Sequence, residues 1–554
     1  MAVEPSGRLE LTWTNKHLRL LSNEDGGYTW VPPADYRVAE VRLLHDVEEV
    51  GETHAERHRA KDNLLIAGDA LNALTSLCEL PELAREYVGK VKLAYLDPPF
   101  NTQQAFEHYD DALEHSVWLT MMRDRLLQIR KLLSPDGSVW VHCDDSEQAY
   151  LKVMMDEVFG RQTFVAVVVW QKVYATRNDA KQFSTDHDYL LVYSRNVGGW
   201  VPNRLARTAR GDSLYKNPDD DPRGPWMSDN YTCAKTAEER PNLYYPITNP
   251  TTGEEIWPSR SRVWLHGRDR HETNVRENRV WWGDEGRNKT PRYKRFLSEV
   301  PALVPGTWWT YESVGHNQDA KREITALVPD ALPFSTPKPE RLMQRIIHIA
   351  SNPGDIVLDC FAGSGTTAAV AHKLGRRWVA VESSRDTIET FTRPRLEKVV
   401  TGDDPGRITK DVGWEGGGSF RLLEVAPSMF AEVDGRVWLA PWAVDRELAE
   451  ATAAQLGYDF EPDPPFAGRK GRTRLAVVDG LVNGDVVELL VGALQPEEKI
   501  VVCGTAIDPE ASVLLKTLRS GSRTRKIPAS ILAEYRIARD WRPAPGREPA
   551  AVEA

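Results

Sequence analysis

Cysteine is scarce in this chain of 554 residues. There are five, Cys78, Cys143, Cys233, Cys360 and Cys503, and no two form a CxxC pair. That spacing argues against a zinc cluster and against a disulfide framework. No apolar run is long enough to span a bilayer; "FVAVVVW" has the length of a buried strand. The opening "MAVEPSGRLE" has no basic-then-apolar leader pattern, so a cytoplasmic location is expected. Positive charge is not in excess either. The net charge is −11, so any surface for a polyanion has to be local.

Two common nucleotide signatures are also missing. There is no GxGxxG turn, and no GxxxxGK loop followed by Ser or Thr. A cradle for a pyrophosphate or a triphosphate is therefore not expected.

What is present is alternation. From Lys61 the chain reads as strands and amphipathic helices in turn: "NLLIAG", "DALNALTSLCEL", "KVKLAYLD", "LEHSVWLTMMRDRLLQIRKLL", "SVWVHCD", "SEQAYLKVMMDEVF". Two further strands, "TFVAVVVWQK" and "DYLLVYSRN", close this half. The pattern predicts a three-layer α/β sheet, mostly parallel. It breaks after Asn196 into a stretch rich in Pro, Gly, Asn and Trp, and resumes near Ser335 with "ERLMQRIIHIAS", "DIVLDCF", "TTAAVAHKL" and "RWVAVE". Five segments are expected: 1–60, an α/β half at 61–195, an irregular insertion at 196–330, a second α/β half at 331–402, and an α/β-like unit at 403–554.

Two stretches carry chemistry. In "VKLAYLDPPFNTQ" a strand ends on Asp97, two prolines (Pro98, Pro99) and a ring, Phe100. In "GDIVLDCFAGSGTTAAVAHKLGRRWVAVE" a strand runs into a glycine-rich turn, a helix, and a strand ending in Glu382. The second is the adenosine-binding half of a Rossmann-like fold: glycines admit a ligand close to the backbone, and an acidic strand end accepts from ribose hydroxyls. The FAGSG turn suits an adenosine cofactor without phosphates, which points to S-adenosylmethionine. A purely structural turn is the competing reading. Both stretches fall at carboxyl ends of predicted parallel strands, where open α/β sheets bind ligands.

Together, "DPPF" and "FAGSG" resemble the amino-methyltransferases that act on exocyclic amines of DNA bases. The resemblance implies that Asp97 and the Pro98 carbonyl accept the two N–H bonds of the amine, with Pro99 fixing the backbone and Phe100 stacking on a base swung out of the duplex. The cofactor would lie against Asp359, Phe361, Gly363, Ser364, Gly365, Thr366 and Glu382. "AGDALNAL" makes Asp69 a candidate contact for the cofactor's adenine, and it reads equally well as a helix cap. In "STPKPERLMQRII", Lys338 is a candidate for the methionine carboxylate; a Pro-Lys-Pro lead into an amphipathic helix is the alternative. Asp144 and Asp145 in "HCDDSEQ" are read as capping residues.

Motif order sharpens the resemblance. "DPPF" precedes "FAGSG" by about 260 residues, as in the permuted (beta) class, where a target recognition region lies between the two halves. Asp as the first motif residue looks like the adenine-N6 subgroup, whereas Ser is commoner for cytosine-N4. Residues 195–330 hold 21 Lys/Arg against 19 Asp/Glu, and 257–295 hold 11 against 5. Arg260, Arg262, Arg268, Arg276, Arg279 and Trp281 in that stretch are the candidate DNA contacts. His266 and His271 lack metal-ligand spacing, and no metal is expected. Over most of its length the chain resembles the modification subunit of type III restriction–modification systems. That implies double-stranded DNA as substrate, a homodimer assembled partly through the C-terminal unit, and a helicase–nuclease restriction subunit or another defence-system protein as partner; the methylating member of a related phage-defence system would present the same core. A cytosine-N4 or RNA methyltransferase of the same fold, and a nonenzymatic DNA-binding scaffold, are the alternatives.

Overall fold

The computed structural model describes residues 10–22, 27–101, 105–106, 109–110, 114–176, 180–207, 209–332 and 334–537. Two compact units emerge. One is the insertion Asn203–Pro305; the other holds the chain up to Pro202 and from Gly306 onward.

The larger unit is built on a ten-stranded sheet. Its strands in chain order are β1 (Leu44–Gly51), β2 (Asn63–Ala67), β3 (Val91–Leu96), β4 (Leu133–Cys143) and β5 (Phe164–Gln171). They continue with β6 (His187–Ser194), β7 (Trp308–Trp309), β8 (Ile356–Asp359), β9 (Arg377–Glu382) and β10 (Ser419–Val425). Across the sheet they stand in the order β7-β5-β6-β4-β3-β8-β9-β2-β10-β1. Six neighbours, β4 to β10 in that order, are mutually parallel; β6 and β1 run against them. Leu64, Leu65 and Ile66 of β2, Leu93 to Leu96 of β3 and Val379 to Val381 of β9 are all buried. Runs buried on both faces, rather than alternating ones, are what helix-covered parallel strands require.

Helices α1 (Ala70–Glu79), α2 (His115–Leu132), α3 (Glu340–Ala350) and α4 (Thr366–Lys373) supply the neighbouring layers. The turn-prone stretch "SPDG" (134–137) lies within β4. It is absorbed as an irregularity of register, since Val91 pairs Leu133 while Leu93 pairs Ser138.

Three expected boundaries move. The insertion is shorter than 196–330, because Trp308–Trp309 is a sheet strand beside β5 and Asn317–Leu327 is a helix of the larger unit. The segment 1–60 is not separate: β1 forms the sheet edge. Nor does a new unit begin at 403, because β10 enters between β2 and β1. The reason is physical. Arg421 of β10 is buried and donates to Asp62 (3.1 Å), Glu49 (2.5 Å) and the His54 carbonyl (2.7 Å), so distant segments share one ion network. Further on, a five-stranded mixed sheet over 459–526 has its own core of Phe466, Val482, Leu490, Val502 and Leu515. Leu475, Val501 and Cys503 of the same sheet join the main core. The parts of the terminal segments at 1–9 and 538–554 lie outside the described residues.

The insertion, taken by itself, has a three-stranded antiparallel sheet (Trp226–Asn230, Arg292–Phe296, Val280–Trp281) and a helix, Arg268–Arg276. Its small core is Tyr231, Tyr245, Ile247, Trp264 and Trp282. No helix among the described residues is long and apolar enough to cross a membrane.

Arg421→Met should lower stability by about 3 kcal/mol, because it strands the buried Asp62 carboxylate without its guanidinium. Urea denaturation midpoints of wild type and variant measure the loss.

Candidate active site

Four neighbouring strand ends carry the acidic candidates. Along the sheet, β3, β8, β9 and β2 stand side by side, and their carboxyl ends supply Asp97, Asp359, Glu382 and Asp69 respectively. Chain order 69, 97, 359, 382 thus becomes spatial order 97, 359, 382, 69. β3 and β8 pair in parallel with Leu358 opposite Ala94 and Asp359 opposite Tyr95. The two motifs, about 260 residues apart in sequence, therefore end side by side. Phe100 and Phe361 pack against one and the same hydrophobic core.

At the first motif, Asp97 forms an ion pair with Lys338 through Oδ2. Its other oxygen, Oδ1, is buried and has no hydrogen-bond partner among the described residues. The Pro99 carbonyl accepts from the indole N–H of Trp118 at 2.6 Å. Trp118 is fully buried on α2, so the second proline is held from beneath. Phe100 leans on His142 with centroids 5.5 Å apart. His142 is in turn held by Tyr95 Oη (3.0 Å) and Asp188 (3.3 Å). Asn101 adopts φ +59°, an uncommon conformation for a residue with a side chain, and donates to the buried Glu147 at 2.8 Å.

At the second motif, the glycines serve close approach. A Cβ on Gly365 (φ +75°) would come within 2.9 Å of Thr392 Cγ2, and one on Gly363 (φ +48°) within 3.3 Å of Phe334 Cζ. Glu382 accepts from the Gly363 N–H at 2.8 Å and the Ser384 N–H at 2.9 Å. Burial pushes the Glu382 carboxyl above its ordinary range, against the pull of those donors. Ser364 and Thr366 face a buried arginine: Arg395 donates to the Ser364 carbonyl (3.1 Å) and to Thr366 Oγ1 (2.7 Å). Asp359 accepts from the Phe361 N–H at 2.9 Å. Burial raises its pKa from 3.8 to about 7, with Thr367 and that N–H opposing.

Asp69 caps α1, accepting from the Leu71 and Asn72 N–H groups, and its other oxygen pairs with Arg125 at 2.8 Å. Arg125 also sits 5.8 Å from the Phe361 ring centroid. Asp144 accepts from the Ser146 N–H as a turn residue, and Asp145 from Tyr189 Oη.

Sequence reasoning missed Arg125, Trp118, Glu147 and Arg395. For Arg125 a signal existed: it lies four residues from Met121 and from Ile129, on the apolar stripe of α2, where an unexplained charge implies a partner. Arg395 and Glu147 gave none, since their partners are distant in sequence.

The candidate DNA contacts divide. Arg260, Arg262, Arg268 and Arg276 are exposed. Arg279 is spent internally on Glu277 (2.7 Å) and Glu299 (2.5 Å), which raise its pKa further. Trp281 is half-buried against Trp226, ring centroids 5.3 Å apart. His271 bonds Tyr231 Oη, and His266 packs edge-on to the same ring. Among the described residues no group of three His, Cys, Asp or Glu could hold a metal ion.

Two outcomes are expected. The folded state keeps on Asp359 a proton that the unfolded chain releases near pH 3.8. This contribution to stability is therefore full below about 4 and is lost as the pH rises through about 7. Asp359→Asn should flatten the change in urea midpoint between pH 5 and pH 7. Arg279→Glu should lower the unfolding midpoint by removing both ion pairs, while Arg276→Glu leaves it unchanged; differential scanning fluorimetry compares them.

A family model described as "DNA methylase" matches residues 91–393, more than half of the chain. The chain is 30% identical over 416 residues to a probable type III restriction–modification enzyme HindVI Mod subunit of Haemophilus influenzae, covering 66% of this chain and 54% of that protein. It is 29% identical over 406 residues to the StyLTI Mod subunit of Salmonella typhimurium, covering 64% of this chain and 59% of that one. To the DNA adenine methyltransferase YhdJ of Escherichia coli it is 22% identical over 370 residues, covering 66% and 95%. The chain thus spans little more than half the length of the two Mod subunits. With the family's matched span running from the strand before Asp97 to past Glu382, the chain belongs to the N6_N4 DNA methylase family.

Proposed function

We propose that this protein is a site-specific DNA methyltransferase that transfers a methyl group from S-adenosylmethionine to N6 of adenine. The carrying observation is Asp97 Oδ1, a buried acceptor with no partner among the described residues, beside the glycine turn. An unmet buried acceptor costs about 1–3 kcal/mol, and an amine of the substrate is a donor that removes the cost. One N–H of the exocyclic amine goes to Asp97 Oδ1 and the other to the Pro98 carbonyl, which the ring-fixed backbone holds in place beforehand. Accepting both bonds draws the nitrogen toward tetrahedral geometry and aims its lone pair. When bound, S-adenosylmethionine supplies a methyl group whose bond to sulfur breaks as the bond to nitrogen forms, the electron pair staying with sulfur and the surplus proton leaving nitrogen for solvent.

The residues present suit that cofactor. The Phe361–Gly365 turn would bring backbone close to it, Glu382 would accept from ribose hydroxyls, and Asp69 with Arg125 would border the adenine. The base has to leave the duplex to reach Asp97. Arg260, Arg262, Arg268 and Arg276 of the insertion are our candidates for phosphate and base contacts. Adenine is favoured by Asp at the head of the motif and by the name of the Escherichia coli relative. The names of the two Mod relatives support a type III modification subunit; double-stranded DNA as substrate, a second copy of the chain and a helicase–nuclease restriction subunit or other defence-system protein are the partners we propose with it.

Methylome sequencing of cells expressing the chain should reveal N6-methyladenine at one short sequence; N4-methylcytosine or an unmethylated genome would sink the reading. Asp97→Ala should slow transfer by about 100-fold or more. It should leave cofactor and DNA affinities within about threefold, whereas Gly363→Val should abolish cofactor binding, read by calorimetric titration.

A further inference from the structure

Lys338 was a candidate for the cofactor's carboxylate, but its contacts lie on the other motif. The ammonium meets Asp97 Oδ2 and stands 5.3 Å from the centroid of the Phe100 ring. It is wedged between the first and last residues of "DPPF". The side chains of Lys338 and Asp97 are 10% and 18% exposed, so the pair is only weakly screened by water.

The backbone carrying Lys338 has little freedom. Pro337 and Pro339 flank it and fix φ on both sides. The next residue, Glu340, is fully buried at the start of α3. Its carboxylate accepts from Lys373 (2.7 Å) and the Ile408 N–H (3.1 Å), and its own N–H donates to Glu323 (2.9 Å). Arg395 reaches the same carboxylate at 3.5 Å while holding Ser364 and Thr366 of the glycine turn. The clamp that fixes Lys338 is thus continuous with the one behind the cofactor turn.

A carboxylate has two oxygens and free rotation about its last bond. With Oδ2 held by Lys338, rotation is stopped and Oδ1 is left as the buried acceptor without a donor among the described residues. Resting on the activity proposed above, we infer that Lys338 is a positioning residue. It locks Asp97 so that Oδ1 alone faces the amine of the target base, and it acts on the transfer step rather than on cofactor affinity. A misplacement near 1 Å at a reacting group costs about 100-fold in rate, which is the size of effect expected.

The test uses the full chain, methyl-labelled S-adenosylmethionine and DNA from a methylation-deficient host. Lys338→Met should lower the single-turnover rate at saturating cofactor about 100-fold. Its cofactor Kd should stay within about threefold of wild type. Lys338→Arg, which keeps the charge, should recover most of the rate. Lys338→Gln replaces the methionine variant if that one is unstable. A Kd raised about tenfold or more, or a saturated rate equal to wild type, overturns the inference. Absence of transfer by the wild-type chain would instead overturn the methyltransferase reading, and this inference with it.

Discussion

The site depends on one parallel pairing, β3 with β8. Register across it sets Asp359 opposite Tyr95, so Asp97 and the glycine turn leave the sheet at the same level from adjacent strands. Only parallel strands do this, because their carboxyl ends share one edge of the sheet. The same packing takes carboxylates out of water. Asp359 and Glu382 are pushed toward the neutral form by burial and pulled back by backbone N–H donors at Phe361, Gly363 and Ser384. Acidity at this edge is therefore set by a balance of desolvation against hydrogen bonds.

Rigidity comes from behind the motifs. Trp118 holds the Pro99 carbonyl, His142 backs Phe100, and Glu147 fixes Asn101. On the other side, Arg395, Glu340, Lys373 and Asp404 form a buried ion cluster that reaches the glycine turn. Buried charges are costly unless paired, and these are paired several times over. The cluster ties the start of α3, next to Lys338, to the glycine turn.

Segments remote in sequence complete the sheet. β10 slots between β2 and β1, and the buried Arg421 joins it to Asp62 and Glu49. The insertion by contrast closes on its own aromatic core, with cations such as Arg279 and Lys294 committed to internal partners. Its exposed arginines hold surface partners instead, Arg260 pairing with Glu238 and Arg262 donating to Thr232.

Composition, alternation and two short motifs were enough to read an α/β chain with acidic strand ends at Asp97 and Glu382. Local chemistry is written locally: Asp69 as a cap, prolines after Asp97, glycines at positive φ. Pairing partners are not. That β3 would lie against β8, that β10 would pass the expected boundary, and that Lys338 would meet Asp97 across 241 positions all follow from long-range burial and charge neutralisation, which leave no periodic trace along the chain. Sequence by itself named candidate groups for the chemistry; only the tertiary structure decided which of them touch, because contact between distant segments is chosen by how the whole core packs.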